Sequence, residues 1–170
     1  MLPIILDGSM VRAGLAGAGE GLARRLKLMN AGGVDAPAIF EGRLPGAAEL
    51  ADLQILFVVG LDAATSRALA EAARRAGVLV NVEDVPELCD FHVPAQVRRG
   101  DLLLAISTAG RSPALSRVLR EDLERRFPPE WDDRLDEIAE LRKAWRAEGA
   151  DPGEVSARTR AFVAERGWLA

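Results

Sequence analysis

Ile55-Leu56-Phe57-Val58-Val59-Gly60-Leu61-Asp62-Ala63 opens with five consecutive apolar residues, the pattern of a central parallel strand buried on both faces. Downstream, Ala63–Ala76 carries alanines and Leu69 at helical spacing, with Arg67, Arg74 and Arg75 left for the wet side and Gly77 as the stop. Val78–Val82 reads as the next strand. A strand, a crossover helix and a strand in that order specify an α/β chain. Upstream, Met10–Ala16 is a poor strand by propensity, yet it leads into Gly17-Ala18-Gly19 and a helical stretch with Leu22, Leu26 and Met29 on one face, stopped by Gly32-Gly33. Ala36–Glu41 is a short strand candidate and Ala47–Asp52 a couple of helical turns. Phe91–Arg99 alternates until Pro94 breaks it, and Leu102–Ser107 is another apolar strand, so the α/β alternation extends to about residue 126.

Ser112-Pro113 begins a helix well, Ser as N-cap and Pro at the first helical position, and Leu115, Val118, Leu119 and Leu123 predict a buried stripe along it. After Phe127-Pro128-Pro129 the strands stop. Trp131–Glu148 reads as a charged helix with Leu135, Ile138, Leu141 and Trp145 on one side, Gly149–Gly153 as a linker, and Val155–Arg166 as a last helix before Trp168. The expected division is a nucleotide-binding-type domain over 1–88, a loop and pairing segment over 89–127 and a helical tail over 128–170.

At 170 residues, 49% hydrophobic and 28% charged, the chain suits one core with a small appendage. No apolar run is long enough to span a bilayer. The opening Met1–Asp7 places no basic residue ahead of its apolar stretch, so a cytoplasmic protein is expected. One cysteine, Cys89, and one histidine, His92, leave no disulfide framework and no multi-thiolate or histidine-rich metal centre. Cys89 reads as a small buried hydrophobe and His92 as structural, with a proton or metal partner of the nearby candidate site as its other reading. A net charge of −4 with few aromatics argues against nucleic acid as a partner. An anionic ligand needs a local cluster of arginines.

Gly17-Ala18-Gly19 between a strand and a helix offers a dinucleotide pyrophosphate a tight turn and a helix start. Leu22 stands where a third small residue is usual, with Gly21 adjacent to relieve the packing. Asp35 and Glu41 are both available for ribose hydroxyls, and the expected cofactor contacts are Gly17, Ala18, Gly19 and Glu41. Asn81-Val82-Glu83-Asp84 closes a predicted parallel strand, where open α/β sheets place their chemistry. Asp84 is the site candidate there, Asn81 also suits a turn, and Glu83 reads as an exposed carboxylate. Ser107-Thr108-Ala109-Gly110-Arg111-Ser112-Pro113 follows a strand and opens a helix, so hydroxyls, N–H groups and a guanidinium gather at a positive helix end suited to carboxylates or phosphates.

Two blocks together carry a resemblance. Asn81-Val82-Glu83-Asp84-Val85-Pro86-Glu87-Leu88-Cys89-Asp90-Phe91-His92-Val93-Pro94-Ala95, followed by Leu104-Ala105-Ile106-Ser107-Thr108-Ala109-Gly110-Arg111-Ser112-Pro113 and on to Arg120, resembles the amino-terminal domain of siroheme synthases, in order and in spacing. The resemblance implies a Rossmann-like parallel sheet, a dimerisation segment and a small helical tail. It implies NAD-dependent oxidation of precorrin-2 to sirohydrochlorin, with sirohydrochlorin ferrochelatase activity in the same site and Fe2+ as that step's substrate. The family's essential aspartate falls on Asp84 and its substrate loop on Ser107, Thr108 and Gly110; Asn81, Arg111 and Ser112 complete the expected substrate contacts. No metal-binding residue is assigned. The expected partners are a tetrapyrrole and a second copy of the chain, without nucleic acid or membrane. Arg98, Arg99, Arg111 and Arg117 are the cations available to a carboxylate-rich macrocycle. This chain departs from the family by a shorter stretch between Gly33 and Ile55, by Val59-Gly60-Leu61-Asp62 after the central strand, and by Ala109 in place of a glycine. A tetrapyrrole carrier without turnover, or a chelatase without NAD use, is the rival reading.

Overall fold

The computed structural model describes residues Leu2–Leu169. Contacts divide the chain into two compact units, one running to Val93 and the other beginning at Pro94. In the first unit β1 (Ala13–Gly17), α1 (Glu20–Ala31), β2 (Ala38–Glu41), α2 (Ala47–Ala51), β3 (Ile55–Val59), α3 (Ala63–Arg75) and β4 (Leu79–Val82) follow in order. The strands form one wholly parallel sheet in the order β2-β1-β3-β4, as the Rossmann-like reading requires.

Period-two alternation distributes the core over both faces of this sheet. Ala16, Leu56, Val58, Val80 and Val82 join Leu50 of α2 and Leu69, Ala70 and Ala73 of α3 on one face. Ala13, Leu15, Ile55, Phe57 and Val59 join Leu22 and Met29 of α1 on the other. β1 is a strand despite its Ala-Gly composition because its neighbours leave no room for more: a Cβ at Gly14 would lie 2.5 Å from a Leu53 methyl and 3.0 Å from one of Leu56. Tertiary packing here overrides propensity. α3 starts where Asp62 accepts hydrogen bonds from the Thr65 amide (2.9 Å) and hydroxyl (2.6 Å), an N-cap that also holds the Asp62 carboxyl below its ordinary value.

The second unit holds β5 (Ala95–Arg99), β6 (Leu102–Ile106), α4 (Pro113–Arg126), α5 (Trp131–Ala147) and α6 (Pro152–Glu165). β5 and β6 form a two-stranded antiparallel ladder, Arg99 facing Leu102, and are not part of the parallel sheet. The reason is covalent: Gly100-Asp101 is long enough for a hairpin, whereas a parallel return needs a dozen residues or more. One expectation fails here. α4 has no buried residue, and Leu115, Val118 and Leu119 are 48%, 60% and 40% exposed; the stripe predicted to be buried faces out. Arg99 secures the far end of α4, its guanidinium donating to the carbonyls of Phe127 (2.7 Å), Arg98 (2.8 Å) and Glu124 (3.3 Å), so it is not a free cation.

α5 and α6 pair through ion pairs between Arg166 and Glu137 (2.7 Å) and between Arg158 and Glu148 (2.8 Å). An aromatic cluster of Phe127, Trp131, Phe162 and Trp168 has ring centroids 5.0–6.0 Å apart, and Arg134 lies 5.2 Å from both indoles. Arg158 sits over the third indole, Trp145, at 6.0 Å. Among the described residues no helix is long and apolar enough to cross a membrane.

Candidate active site

The carboxyl ends of the four strands fall along one edge of the sheet. Gly17 is in register with Glu41 on one side and Val59 on the other, and Val58 with Val82. The order of strands reverses between β1 and β3, so the crevice of an open α/β sheet opens beside the glycine turn. Each glycine there has a separate task. At Gly17, φ +144, a Cβ would overlap the Val59 carbonyl oxygen; at Gly60, φ +63, it would lie 2.5 Å from the Ala18 carbonyl oxygen. These two let the turn and β3 touch, and Ala18 N–H donates to the Val59 carbonyl at 3.3 Å. Gly19 differs. It caps α1 with no side-chain hydrogen bond, at φ 75 and ψ −161, and a Cβ there would meet nothing within 4 Å. Open space at an uncapped helix start fits the diphosphate of a dinucleotide. The third small residue is Gly21, buried in α1, where a Cβ would lie 3.4 Å from Val59 Cβ and 2.6 Å from a Glu83 carboxylate oxygen.

Of the two acids available for ribose, Glu41 ends β2 beside Gly17 and is exposed, while Asp35 precedes β2 at the opposite edge of the sheet. The nearest cation beyond Glu41 is committed elsewhere: Arg43 makes two contacts of 2.7 and 2.9 Å to Glu49 and lies 4.9 Å from the Phe40 ring centroid. That pairing, with the Gly46 amide at 2.8 Å, holds the Glu49 carboxyl down at about 2.

Most of the Asn81–Phe91 block proves to be a clip. The Asn81 side chain, 7% exposed, donates to the Phe91 carbonyl at 2.9 Å. Cys89 Sγ accepts from the Val82 amide at 3.3 Å and reaches the Val82 carbonyl at 3.2 Å. Asp90 pairs with the edge of β4 as a further strand would, its amide donating to the Val80 carbonyl (2.7 Å) and its carboxylate accepting from the Val80 amide (3.0 Å). Arg74 then holds Asp90 at 2.9 Å. Covering the edge in this way blocks pairing with another chain.

Asp84 is left as an exposed carboxylate at the carboxyl end of β4, held at φ +59, a conformation that Asp and Asn tolerate better than most residues. His92 is exposed nearby in sequence. Glu83, expected to be solvated, is half-buried against α1 and lies 3.4 Å from Arg24. Arg25 is half-buried with its guanidinium 4.9 Å from the Phe57 centroid, and burial pushes its pKa down while Glu83 pulls it up. No local pattern links Glu83 to residues about sixty positions earlier, so only the fold brings this group together.

In the second unit, the 107–112 loop is organised largely by its own hydroxyls. Thr108 Oγ1 is bonded to the Ser112 carbonyl (3.1 Å) and Ser116 Oγ (3.0 Å), Ser107 Oγ accepts from the Ala109 amide (3.2 Å), and Ser112 Oγ caps α4 through the Leu115 amide (3.2 Å). Gly110, φ +75, and the side chain of Arg111 remain exposed.

Comparison with known proteins bears on this geometry. A family model described as putative NAD(P)-binding matches residues 35–95, and one described as the central part of the sirohaem biosynthesis protein matches 99–126. The chain is 34% identical over 171 residues to the siroheme synthase of Thiobacillus denitrificans, covering 90% of this chain and 36% of the relative. It is 32% identical over 169 residues to that of Methylococcus capsulatus, covering 89% and 36%. The chain thus spans little more than a third of the length of these curated relatives. The solved structure of SirC, precorrin-2 dehydrogenase, superposes with a TM-score of 0.73 at 20% identity over 100% of this chain and 93% of that one, which shows the fold. With both blocks matched in order, the chain belongs to the family of the amino-terminal siroheme synthase domain.

Proposed function

We infer that this chain oxidises precorrin-2 to sirohydrochlorin with NAD+. The observation that carries the reading is the open helix start at Gly19 beside an exposed carboxylate, Glu41, at the end of β2. Gly17, Ala18 and Gly19 would hold the diphosphate and Glu41 the ribose hydroxyls. Arg43, turned to Glu49 and Phe40, offers no cation for a 2′-phosphate, which favours NAD over NADP. NAD+ supplies a hydride acceptor. Removing a hydride from the macrocycle leaves a proton to be lost, and Asp84 is the base assigned to take it. The same carboxylate would accept pyrrole protons when Fe2+ is inserted as substrate of a ferrochelatase step. Arg111 and the 107–112 loop, with Gly110 leaving its backbone accessible, are assigned to substrate carboxylates. Asn81 acts on the site through the loop it holds.

The exposed Leu115, Val118 and Leu119 of α4 support pairing with a second copy. Light scattering at micromolar concentration reads this directly, and a mass of 18.2 kDa would rule it out. For the activity, calorimetric titration with NAD+ followed by anaerobic addition of precorrin-2 is expected to yield NADH, with Fe2+ added in a separate arm. Tetrapyrrole binding without NADH formation would favour the carrier reading.

A further inference from the structure

Three observations meet at Glu83. Its side chain, 23% exposed, is seated over Gly21, the second residue of α1, with Oε2 2.6 Å from where a Cβ would stand. Oε1 lies 3.4 Å from Arg24 Nη2, on the next turn of the same helix. The helix start itself has no side-chain cap, and the space above Gly19 is open. A carboxylate therefore rests against the first turn of α1, where the helix dipole concentrates positive charge. Around it, Arg25 is half-buried, its pKa lowered by burial and raised in part by the Glu83 charge, Glu20 is 97% exposed and pairs with Arg24 at 3.8 Å, and Asp84 is exposed.

We propose that Glu83 sets the affinity of the dinucleotide site: it serves as the internal counter-ion of the α1 N-terminus and repels the diphosphate of an incoming cofactor. The inference rests on the reading of the glycine turn as a dinucleotide site. Its physical basis is like-charge repulsion between two anions at the same helix start in partly screened space, which amounts to roughly three- to tenfold in a dissociation constant. Arg24 counters part of that repulsion and keeps the carboxylate in place.

Glu83→Gln tests the charge alone, because the amide keeps the shape over Gly21 and an oxygen toward Arg24. With the full chain at low salt, calorimetry should show NAD+ and ADP-ribose binding roughly three- to tenfold more tightly to E83Q than to wild type, with adenosine, which lacks phosphate, unaffected. The gap should close as salt rises, since screening acts within about 10 Å at 0.1 M. Arg24→Gln should move affinity the other way by exposing the repulsion. Equal NAD+ affinity in wild type and E83Q, or weaker binding by E83Q, overturns the proposal while leaving the dinucleotide site standing. If neither protein binds NAD+, the site reading itself fails and this inference falls with it.

Discussion

Gly17→Ala and Gly19→Ala, two residues apart, should fail in opposite ways. At Gly17 an added methyl would overlap the Val59 carbonyl oxygen and lie 2.8 Å from its carbonyl carbon and 2.9 Å from Cγ2. Val59 cannot withdraw: it is 2% exposed and in register with Gly17 in the middle of the sheet. Overpacking of this kind costs about 1–3 kcal/mol, and a non-glycine residue at φ +144 adds about 1–3 kcal/mol of strain. The sum, roughly 2–6 kcal/mol, is a large share of the 5–15 kcal/mol typical of a domain. At about 4–8 °C per kcal/mol, the melting temperature should fall by roughly 10 °C or more. At Gly19 the methyl meets nothing within 4 Å, so only the strain of φ 75 and ψ −161 remains, about 1–3 kcal/mol. The methyl instead fills the space assigned to the diphosphate. Thermal melts by far-UV ellipticity, hydrogen exchange of the β1 and β3 amides, and NAD+ calorimetry on both variants separate the cases. G17A should lose exchange protection in both strands, and G19A should keep it while losing NAD+ affinity. A G17A protein with wild-type melting and intact β1–β3 protection would refute the packing argument.

Three further outcomes are expected. Asp84→Asn keeps a residue suited to φ +59, so the fold and NAD+ affinity should hold while dehydrogenation slows by roughly 10²–10⁴-fold; wild-type turnover in D84N with none in His92→Ala would move the base to His92. Ala109 sits at φ +54, so Ala109→Gly should stabilise the second unit by about 0.5–1 kcal/mol, the relieved strain less the added chain entropy, and a lower denaturation midpoint would contradict this. Because Glu49 has its carboxyl lowered from the usual 4.5 to about 2, its contribution to stability is present above the unfolded value and is lost as pH falls through 4.5 toward 2; Arg43→Gln should flatten that part of the acid-unfolding profile.

The legible parts of the fold were those whose burial is written in the chain locally. Ile55–Val59 is apolar at every position, and α3 carries alanines and Leu69 at helical spacing with its stop at Gly77, so strand, helix and strand could be placed from residue order alone. β1 was harder, because Gly14 is explained only by the methyls of Leu53 and Leu56. The stripe on α4 was visible, but a hydrophobic period does not say whether a single chain covers it. In the 81–95 block the order of residues identified the family without revealing that Cys89 and Asp90 bond backbone groups of β4 while Asn81, on β4 itself, holds the Phe91 carbonyl. Glu83 against Gly21, like Arg99 at the end of α4, depends on contacts far apart in sequence, for which local spacing carries no signal.

The placement of the aromatic residues has an optical consequence. All three tryptophans, Trp131, Trp145 and Trp168, lie in the second unit, and the chain has no tyrosine. Intrinsic emission is therefore a reporter of the helical tail alone, and the parallel sheet with its glycine turn is dark. A denaturation curve followed by fluorescence measures the α5–α6 pair, whereas ellipticity sums both units, so any separation between the two curves measures how independently the units unfold. Introducing a tryptophan at Phe57 or Phe91, whose rings meet edge-on at 5.3 Å, would give the dark unit a signal of its own.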